Sequence, residues 1–378
     1  MKPYPKRPTS CEIDLSALRS NYKQVKEETA KGCRILAVVK ADAYGHGAVQ
    51  VSKELESMGV DYLGVAILEE ALELREAGIK SPMMILSGLF EGQEGAAFDY
   101  DLTPVVYTLE SAERFNLEAI KRKKCCSIHI KVDTGMGRLG VRADKAVSLL
   151  TKVAKMEWID IEGLATHFSS ADEPQKNSTI KQIRLFTSIV EEAEKLGLDI
   201  PLKHAANSAG TFHFPQGHFN MVRPGISLYG VSPSCSMKNK GGLKPVMSLK
   251  TKVMEIKKLE RGETVSYGET YTAKQESTIA VIPVGYADGY RRELSNTAEV
   301  VIRGKRAKVA GRICMDMTMI DVTGIDGVKK GDDVYLMGGS YDNAVTACEI
   351  ADIAGTIAYE VLCGVSQRVP RYYINAQV

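Results

Sequence analysis

Eight short apolar runs within residues 35–230 set the strongest limit on the fold of this chain. Each run is short enough to be one buried strand, and helix-patterned stretches lie between most of them. The runs are ILAVV (35–39), YLGVA (62–66), MMILSG (83–88), LTPVVY (102–107), CSIHIKVD (126–133), IDIEGLATHF (159–168), PLKHAANS (201–208) and MVRPGISLYG (221–230). Eight strand–helix units predict an α/β fold, a (β/α)8 TIM barrel, in preference to an open doubly wound sheet.

Apolar residues at helical spacing predict the helices of this region. We expect Asp14 to cap the first of them, because aspartate readily accepts hydrogen bonds from the free amides of a helix start. The predicted helices cover residues 12–26, 49–58, 68–76, 143–154 and 179–196.

The sequence pattern changes after Gly230. Residues 232–244 (SPSCSMKNKGGLK) are rich in glycine, serine and lysine, which predicts a linker. From Pro245 onward, short alternating runs separated by glycine turns predict a mainly antiparallel β domain, with a helix over 346–356. We therefore predict two domains, a barrel over 12–237 and a β-rich C-terminal domain over 238–378 that also includes residues 1–11.

The composition limits the partners of the chain. Its 378 residues are 44% hydrophobic and 25% charged, as in soluble globular proteins, and no apolar stretch is long enough to span a membrane. A net charge of +2 gives no reason to expect a nucleic acid or a membrane surface as partner. The N-terminus lacks the apolar core of a secretory signal. Eight cysteines without a CxxC pattern predict reduced thiols in a cytoplasmic protein, and no metal site.

Chemically capable side chains recur where the predicted strands end, and that edge is where barrel enzymes place their active sites. Each residue alone has a plainer explanation: Lys40 could reach water, His167 could be a core histidine and Ser208 could cap a helix. Their convergence favours a site. The strand-end residues are Lys40 on the first strand, Lys131, Asp133 and Arg138 around the fifth, His167 on the sixth, Ser208 on the seventh and Arg223 on the eighth.

The segment MVRPGISLYG has the features of an anion site. We expect free backbone amides at Gly225 and Ile226, which would suit a phosphate. Arg223 precedes this turn and can only donate hydrogen bonds. Lys40 cannot be buried as an unpaired cation without a large cost, so its amine should be paired, neutralised or covalently modified.

Long motifs along nearly the whole chain resemble the alanine racemase family. They are, in order, AVVKADAYGHG, IKVDTGMGRLG, ATHFSSADEP, ANSAG, MVRPGISLYG, VSYGETY, GYADGYRR, GRICMDMTMID and TIAYEVLC. The resemblance implies a barrel followed by a β domain, pyridoxal 5'-phosphate (PLP) held as a Schiff base on Lys40, and a homodimer with shared active sites.

The same resemblance implies roles for individual residues. Arg223 would face the PLP pyridine nitrogen, with His167 linking Arg223 towards Tyr267. Arg138 and Met315 would bind the substrate carboxylate, and Lys131 is carbamylated in many members. The other implied cofactor-binding residues are Tyr44, Asn207, Ser208, Gly225, Ile226 and Tyr359. The entrance residues are Tyr286, Asp172, Arg292 and Arg312, and the partner chain would supply Tyr267, Met315 and Tyr286.

Racemisation removes a proton from one face of Cα and returns one to the other, so it needs two acid/base groups. Lys40 would serve one face and Tyr267 the other, although a tyrosine beside a glycine could equally be a surface or packing residue. The resemblance predicts interconversion of L- and D-alanine, with D-alanine used for peptidoglycan.

Three other functions remain open at this stage. A serine or broad-specificity racemase could use the same scaffold, because an apolar pocket separates a methyl from a hydroxymethyl group only weakly. A basic amino-acid decarboxylase is disfavoured, since its ring nitrogen normally meets an acidic residue rather than an arginine. A non-catalytic PLP-binding protein would not need the β domain that carries Tyr267.

Overall fold

The chain divides into two compact units, and each is described here by itself. The structure, a computed structural model, describes residues 7–173, 177–234 and 242–376. One unit comprises Arg19–Ala43 and Gly47–Leu243, and the other comprises the residues up to Leu18, Tyr44–His46 and the chain from Lys244 onward. The predicted domain boundary at 237/238 lies outside the described residues, as do most of the predicted linker and the first six residues, so those expectations stay predictions.

Eight parallel strands close into a barrel in the first unit, which confirms the predicted fold class. Every strand pairs with its neighbours in chain order, and the eighth strand pairs with the first. In order, the barrel strands are Arg34–Val38, Tyr62–Val65, Met83–Ile85, Leu102–Val106, Cys126–Asp133, Ile159–Ala165, Leu202–His204 and Met221–Val222. A short strand, Val141–Arg142, adds to the fifth.

The last two predicted strands are shorter in the structure than in the sequence-based prediction. The eighth ends at Val222 because Pro224 has no N–H with which to extend the ladder, and Ile226–Tyr229 form a 3-10 helix instead. The seventh ends at His204, and Ser208 already begins a helix.

The helices follow the predicted spacing closely. The predicted helix over 68–76 has the same limits in the structure, and Asp14 accepts the Ser16 amide at 2.8 Å, as expected of the first cap. The prediction was wrong at residues 12–14, which belong to a strand. The α-helices are Leu15–Glu28, Lys40–Gly45, Ala48–Ser57, Leu68–Glu76, Glu94–Asp99, Leu109–Arg122, Ala143–Val153, Ser178–Lys195, Ser208–His213, Ala347–Ala354 and Ala358–Cys363.

A nine-stranded sheet forms the second unit, and its strands are antiparallel except for the pair Ser10–Asp14 and Arg371–Ile374. Ile279, Val281, Ala310 and Met319 pack together beneath it. In sheet order the strands are Glu255–Leu259, Ser277–Ile282, Thr318–Asp321, Lys305–Val309, Glu299–Ile302, Asp333–Met337, Met247–Lys252, Ser10–Asp14 and Arg371–Ile374. Thr264–Val265 and Tyr271–Thr272 form a separate hairpin.

The cysteines depart from the prediction at one position. Cys348 is disulfide-bonded, so the expectation of reduced thiols is wrong for this residue. The free thiols are Cys11, Cys33, Cys125, Cys126, Cys314 and Cys363. Among the residues that the structure describes, no helix combines the length and apolar character needed to cross a bilayer.

Candidate active site

Lys40 lies two residues beyond the end of the first barrel strand and begins the short helix Lys40–Gly45, a single strained turn. Residues 41–44 all have φ between 51° and 55°, the left-handed region, which costs about 1–2 kcal/mol for each L-residue. Hydrogen bonds hold part of this turn: the Ala41 amide donates to Glu70 at 2.7 Å, and the Ala48 amide donates to the Asp42 carboxylate at 2.7 Å. Strain held by surrounding contacts is typical of functional sites.

A group of cations surrounds Lys131 on the fifth strand. Burial, followed by the charges of Arg223, Arg138 and Lys40, lowers the pKa of Lys131 to about 8. Asp133 opposes this effect, but its carboxylate already accepts the amides of Gly135, Met136 and Gly137. The carboxyl edge of the barrel therefore favours an anionic ligand.

Arg223 is buried and surrounded by acceptors. Its Nη1 donates to His204 Nδ1 at 2.6 Å, and its Nη2 donates to the carbonyl oxygens of Thr166 (2.6 Å) and Ala205 (3.1 Å) and to His167 Nδ1 (3.2 Å). Burial lowers the pKa of Arg223 to about 10, so it remains a cation at neutral pH. Of its five N–H groups, Nε–H and one on Nη1 have no acceptor among the described residues, so both can donate to a ligand.

The Ser208 hydroxyl organises the predicted anion cradle. Asn207 caps the Ser208–His213 helix by accepting the Gly210 amide at 2.9 Å. Ser208 Oγ accepts the Gly225 amide at 2.9 Å and the Ser227 amide at 3.3 Å. The expectation of a free Gly225 amide is therefore wrong, because this oxygen lies within hydrogen-bond distance of it. The Ile226 amide has no acceptor among the described residues.

Two further predicted phosphate-binding residues come together in the second unit. The rings of Tyr44 and Tyr359 lie 5.9 Å apart at 46°. Burial, with smaller contributions from Tyr359 and Cys363, raises the pKa of Tyr44, so its hydroxyl stays a donor. Position 45, beside them, requires glycine, because a side chain there would meet the Leu362 carbonyl oxygen at 2.5 Å.

The remaining predicted residues of the second unit lie on exposed, interconnected loops. Tyr267 is 69% exposed, and Ser266 anchors its loop by donating to the Arg312 carbonyl oxygen. Met315 is 52% exposed and Tyr286 42%. Their segments are joined, since the Tyr286 amide donates to the Cys314 carbonyl oxygen at 3.0 Å.

Arg292 begins the 3-10 helix Arg292–Leu294 in the same unit, and the adjacent Ser295 accepts the Ile313 amide at 3.0 Å. This contact ties the Arg292 segment to the segment that carries Arg312. In the barrel unit, Asp172 lies half-buried after the sixth strand, where it has no hydrogen bond or ion pair among the described residues.

Sequence reasoning missed His204 and His129. They lie on the seventh and fifth strands, and His129 Nδ1 and His204 Nε2 are 2.8 Å apart in the barrel interior. The signal was present, since each histidine stands in a run otherwise typical of a buried strand. Neither histidine lies at the end of its predicted strand, which is where chemically active side chains were expected.

Comparisons with known proteins agree with this geometry. Residues 13–233 match the model of the alanine racemase N-terminal domain, and residues 246–373 match that of the C-terminal domain. An alanine racemase of Halothermothrix orenii is 48% identical over 98% of this chain and 97% of its own length.

Solved structures agree as well. The alanine racemase of Clostridium difficile 630 superposes with a TM-score of 0.91 at 40% identity, over 98% of this chain and 97% of that one. The alanine racemase of Bacillus anthracis, solved with bound L-Ala-P, superposes with a TM-score of 0.90 at 36% identity, over 99% and 96% of the two chains. Because both family models match and the relatives are similar over nearly the full length, this chain belongs to the alanine racemase family.

Proposed function

We propose that this chain is a PLP-dependent racemase that interconverts L-alanine and D-alanine, as a cytoplasmic homodimer, and supplies D-alanine for peptidoglycan. The observation that carries the proposal is the buried, donor-only guanidinium of Arg223, with N–H groups left without acceptors among the described residues, on a cationic barrel edge that also includes Lys40. Membership of the alanine racemase family supports it, as does the relative from Bacillus anthracis that was solved with L-Ala-P.

The donor set of the barrel fits PLP. Lys40 would hold the cofactor covalently, and the Ser208 hydroxyl, the Ile226 amide and Asn207 would lie towards its phosphate. Tyr44 and Tyr359 would add hydroxyl donors. Arg223 has N–H groups still without acceptors and would donate to the pyridine nitrogen. When bound, PLP withdraws electron density from the substrate Cα and so acidifies its hydrogen.

The protonation of Arg223 sets a chemical preference. A guanidinium can only donate, so a PLP ring nitrogen facing Arg223 would have to accept and stay unprotonated. Arg223 would thereby limit electron withdrawal by the ring and disfavour transamination as a side reaction. An aspartate at this position would do the opposite.

Two residues would move the proton at Cα. Lys40 would act on one face, and Tyr267, supplied by the partner chain, would act on the other. The exposure of Tyr267, 69% within one chain, supports a role at a subunit interface. His167 donates nothing through Nδ1, which accepts from Arg223, so its Nε2–H is available to orient Tyr267.

Arg138 would bind the substrate carboxylate together with Met315, and Lys131 would position Arg138. A Lys131 pKa of about 8 leaves a neutral fraction of the amine at physiological pH, and a neutral amine is the form that reacts with carbon dioxide. This supports carbamylation of Lys131. A carbamate carbon signal after incubation with 13C-bicarbonate, absent in Lys131→Gln, would establish it; equal signals in both proteins would rule it out.

The function is tested by incubating the PLP-loaded protein with L-alanine in D2O. Proton NMR follows loss of the Cα hydrogen, and a chiral assay follows D-alanine. Exchange that approaches equal amounts of the enantiomers is the expected result. Exchange without inversion would mean that the second base is not at work, and no exchange would refute the proposal.

A parallel incubation with L-serine tests the alternative substrate. Tyr359 and Met315 would crowd a side chain larger than a methyl group, so we expect slower racemisation of serine than of alanine. Equal or faster turnover of serine would make the chain a broad-specificity racemase on the same scaffold.

A further inference from the structure

A continuous chain of hydrogen bonds runs through the barrel interior from Arg223 to a carboxylate that has no place in the site described above. Arg223 Nη1 contacts His204 Nδ1 at 2.6 Å, and His204 Nε2 contacts His129 Nδ1 at 2.8 Å. His129 Nε2 contacts Glu162 Oε2 at 3.2 Å, and the Tyr62 hydroxyl donates to Glu162 Oε1 at 2.6 Å. We call these five residues the barrel relay.

The barrel relay has one direction. Arg223 can only donate, so His204 Nδ1 must accept and the proton of a neutral His204 must lie on Nε2. His204 then donates to His129 Nδ1, which places the His129 proton on Nε2, where it is donated to Glu162. A cation at one end and a carboxylate at the other thus fix both imidazole tautomers.

Both imidazoles are neutral in this arrangement. Burial lowers the pKa of His204 and, against the opposing effect of the hydrogen bond that His129 donates to Glu162, that of His129. Burial alone would raise the pKa of Glu162, but the hydrogen bonds from His129 and Tyr62 outweigh it and leave the carboxyl ionised at neutral pH. The charge of the exposed Arg34 also lowers the pKa of Glu162.

Arg223 lacks a direct counter-ion. Among the described residues it forms no ion pair, and its contacts are two carbonyl oxygens and two imidazoles. A buried cation without a compensating charge is costly, and the anion that its chain of hydrogen bonds reaches is the carboxylate at the far end of the relay. Packing preserves this path, because a side chain at Gly163 would overlap the His129 ring at 2.1 Å.

We propose that Glu162 is a positioning residue for the reaction: through His129 and His204 it fixes the orientation of the Arg223 guanidinium. The expected effect of Glu162 on turnover rests on the function proposed above. The tautomers of His129 and His204 do not depend on that function. Glu162 acts only through the other residues, since the fifth and sixth barrel strands place it at the opposite end of the relay from Arg223.

The test compares two charge-removing variants of the sixth strand in the PLP-loaded protein. Glu162→Gln keeps the shape and removes the charge; its amide oxygen can still accept from His129 while its amide nitrogen donates to the Tyr62 hydroxyl, so the bond to His129 is weakened rather than lost. Asp160→Asn is the matched control: Asp160 is an exposed carboxylate two residues away that accepts from Ser127 outside the relay and acts on His129 through its charge alone. Histidine tautomers are read from 15N chemical shifts, and kcat and KM are measured with L-alanine.

We expect wild type and Asp160→Asn to show His129 and His204 as the neutral Nε2–H tautomers. In Glu162→Gln the Nε2 15N shift of His129 should change, because a neutral acceptor replaces a carboxylate, and kcat should fall about tenfold with KM little changed, the size of one hydrogen bond to a charged group. An unchanged His129 shift in Glu162→Gln, a changed shift with an unchanged kcat, or the same fall in Asp160→Asn would each overturn the proposal.

A titration of the wild type decides the question if Glu162→Gln does not fold. Acidification through the pKa of Glu162 removes the same charge without a mutation. The 15N shifts of His129 should change in step with the 13C shift of the Glu162 carboxyl carbon, and independent titrations would overturn the proposal. A wild type that does not racemise alanine would refute the proposed function, while the tautomer measurements would still decide the relay.

Discussion

The two units present their candidate residues in opposite ways. In the barrel, Arg223 is 7% exposed and its guanidinium donates to four acceptors. In the β-rich unit, Tyr267 is 69% and Met315 52% exposed, on loops fixed by their backbone contacts. The barrel residues thus find their hydrogen-bond partners within one chain. The loop residues are held by backbone contacts, but their side chains remain exposed.

This difference follows from how the two folds bury polar groups. A parallel barrel has no solvent in its interior, so a charged group there must be matched by hydrogen bonds, as Arg223 is. A loop of an antiparallel sheet meets water and needs no such partners. The exposure of Tyr267 and Met315 therefore supports the proposed dimer, in which a second copy of the chain would complete the site.

The largest effect is expected from substituting the two proposed bases, Lys40 and Tyr267, in different chains of the proposed dimer. Lys40→Arg keeps the charge but cannot bind PLP covalently, and both it and Tyr267→Phe should lose activity by about 10²–10⁴-fold as homodimers. If each site takes Lys40 from one chain and Tyr267 from its partner, a mixed dimer contains one intact site. Equal mixing should then restore about a quarter of the wild-type sites.

Racemase assays on the co-expressed, doubly tagged mixture measure this recovery. A mixture no more active than the two inactive homodimers would mean that each site takes both bases from the same chain. The exposed loop residues would then not form a site with the buried barrel residues of a second chain.

A second effect separates Tyr267, the proposed base, from its neighbours. Tyr267→Phe should leave PLP bound and slow Cα-hydrogen exchange of the two enantiomers unequally, because only one face of Cα loses its base, while kcat/KM falls equally in both directions because the enantiomers are equally stable. Tyr271→Phe is the control: its hydroxyl donates to Asp321 at 2.7 Å, so its loss should cost about 1 kcal/mol of stability and leave kcat unchanged. Isotope exchange in each direction provides the measurement, and a fully active Tyr267→Phe would remove this residue from the mechanism.

The sequence predicted the barrel well because buried parallel strands are continuous apolar runs, and the first of these runs also predicted that Lys40 lies at the end of a strand. It could not predict the left-handed turn at residues 41–44, since alanine, aspartate and tyrosine all disfavour that conformation. The relay contact between His129 and His204 joins residues that are 75 positions apart, so it depends on strand register. The occupied Gly225 amide likewise depends on where Ser208 points.

A third prediction tests how tightly the barrel interior is packed. Gly163→Ala introduces a methyl group about 2 Å from the buried His129 ring, so it should destabilise the protein by about 1–3 kcal/mol. In the β-rich unit, Gly324→Ala meets no atom within 4 Å and should change stability by less than about 0.5 kcal/mol. Urea unfolding of both variants gives the difference, and equal stabilities would contradict the packing contrast.

The smallest effect concerns the charge of Lys131 in the cofactor-free protein, in buffer without bicarbonate. Its pKa is about 8 in the folded chain against a usual value of 10.5, so the unfolded chain binds the extra proton between these values. The penalty for the charged amine is complete below pH 8 and is lost as the pH rises towards 10.5.

Lys131→Gln should therefore stabilise the protein at neutral pH by about 1 kcal/mol, after allowance for solvent screening, and its advantage should shrink above pH 8. Lys155→Gln, at an exposed lysine, is the control and should show no such trend. Unfolding free energies measured from neutral pH upward decide the matter. A Lys131→Gln curve parallel to that of the wild type would show that neither burial nor the neighbouring cations lower the pKa of Lys131, and the contrast with the water-exposed loops would then fail.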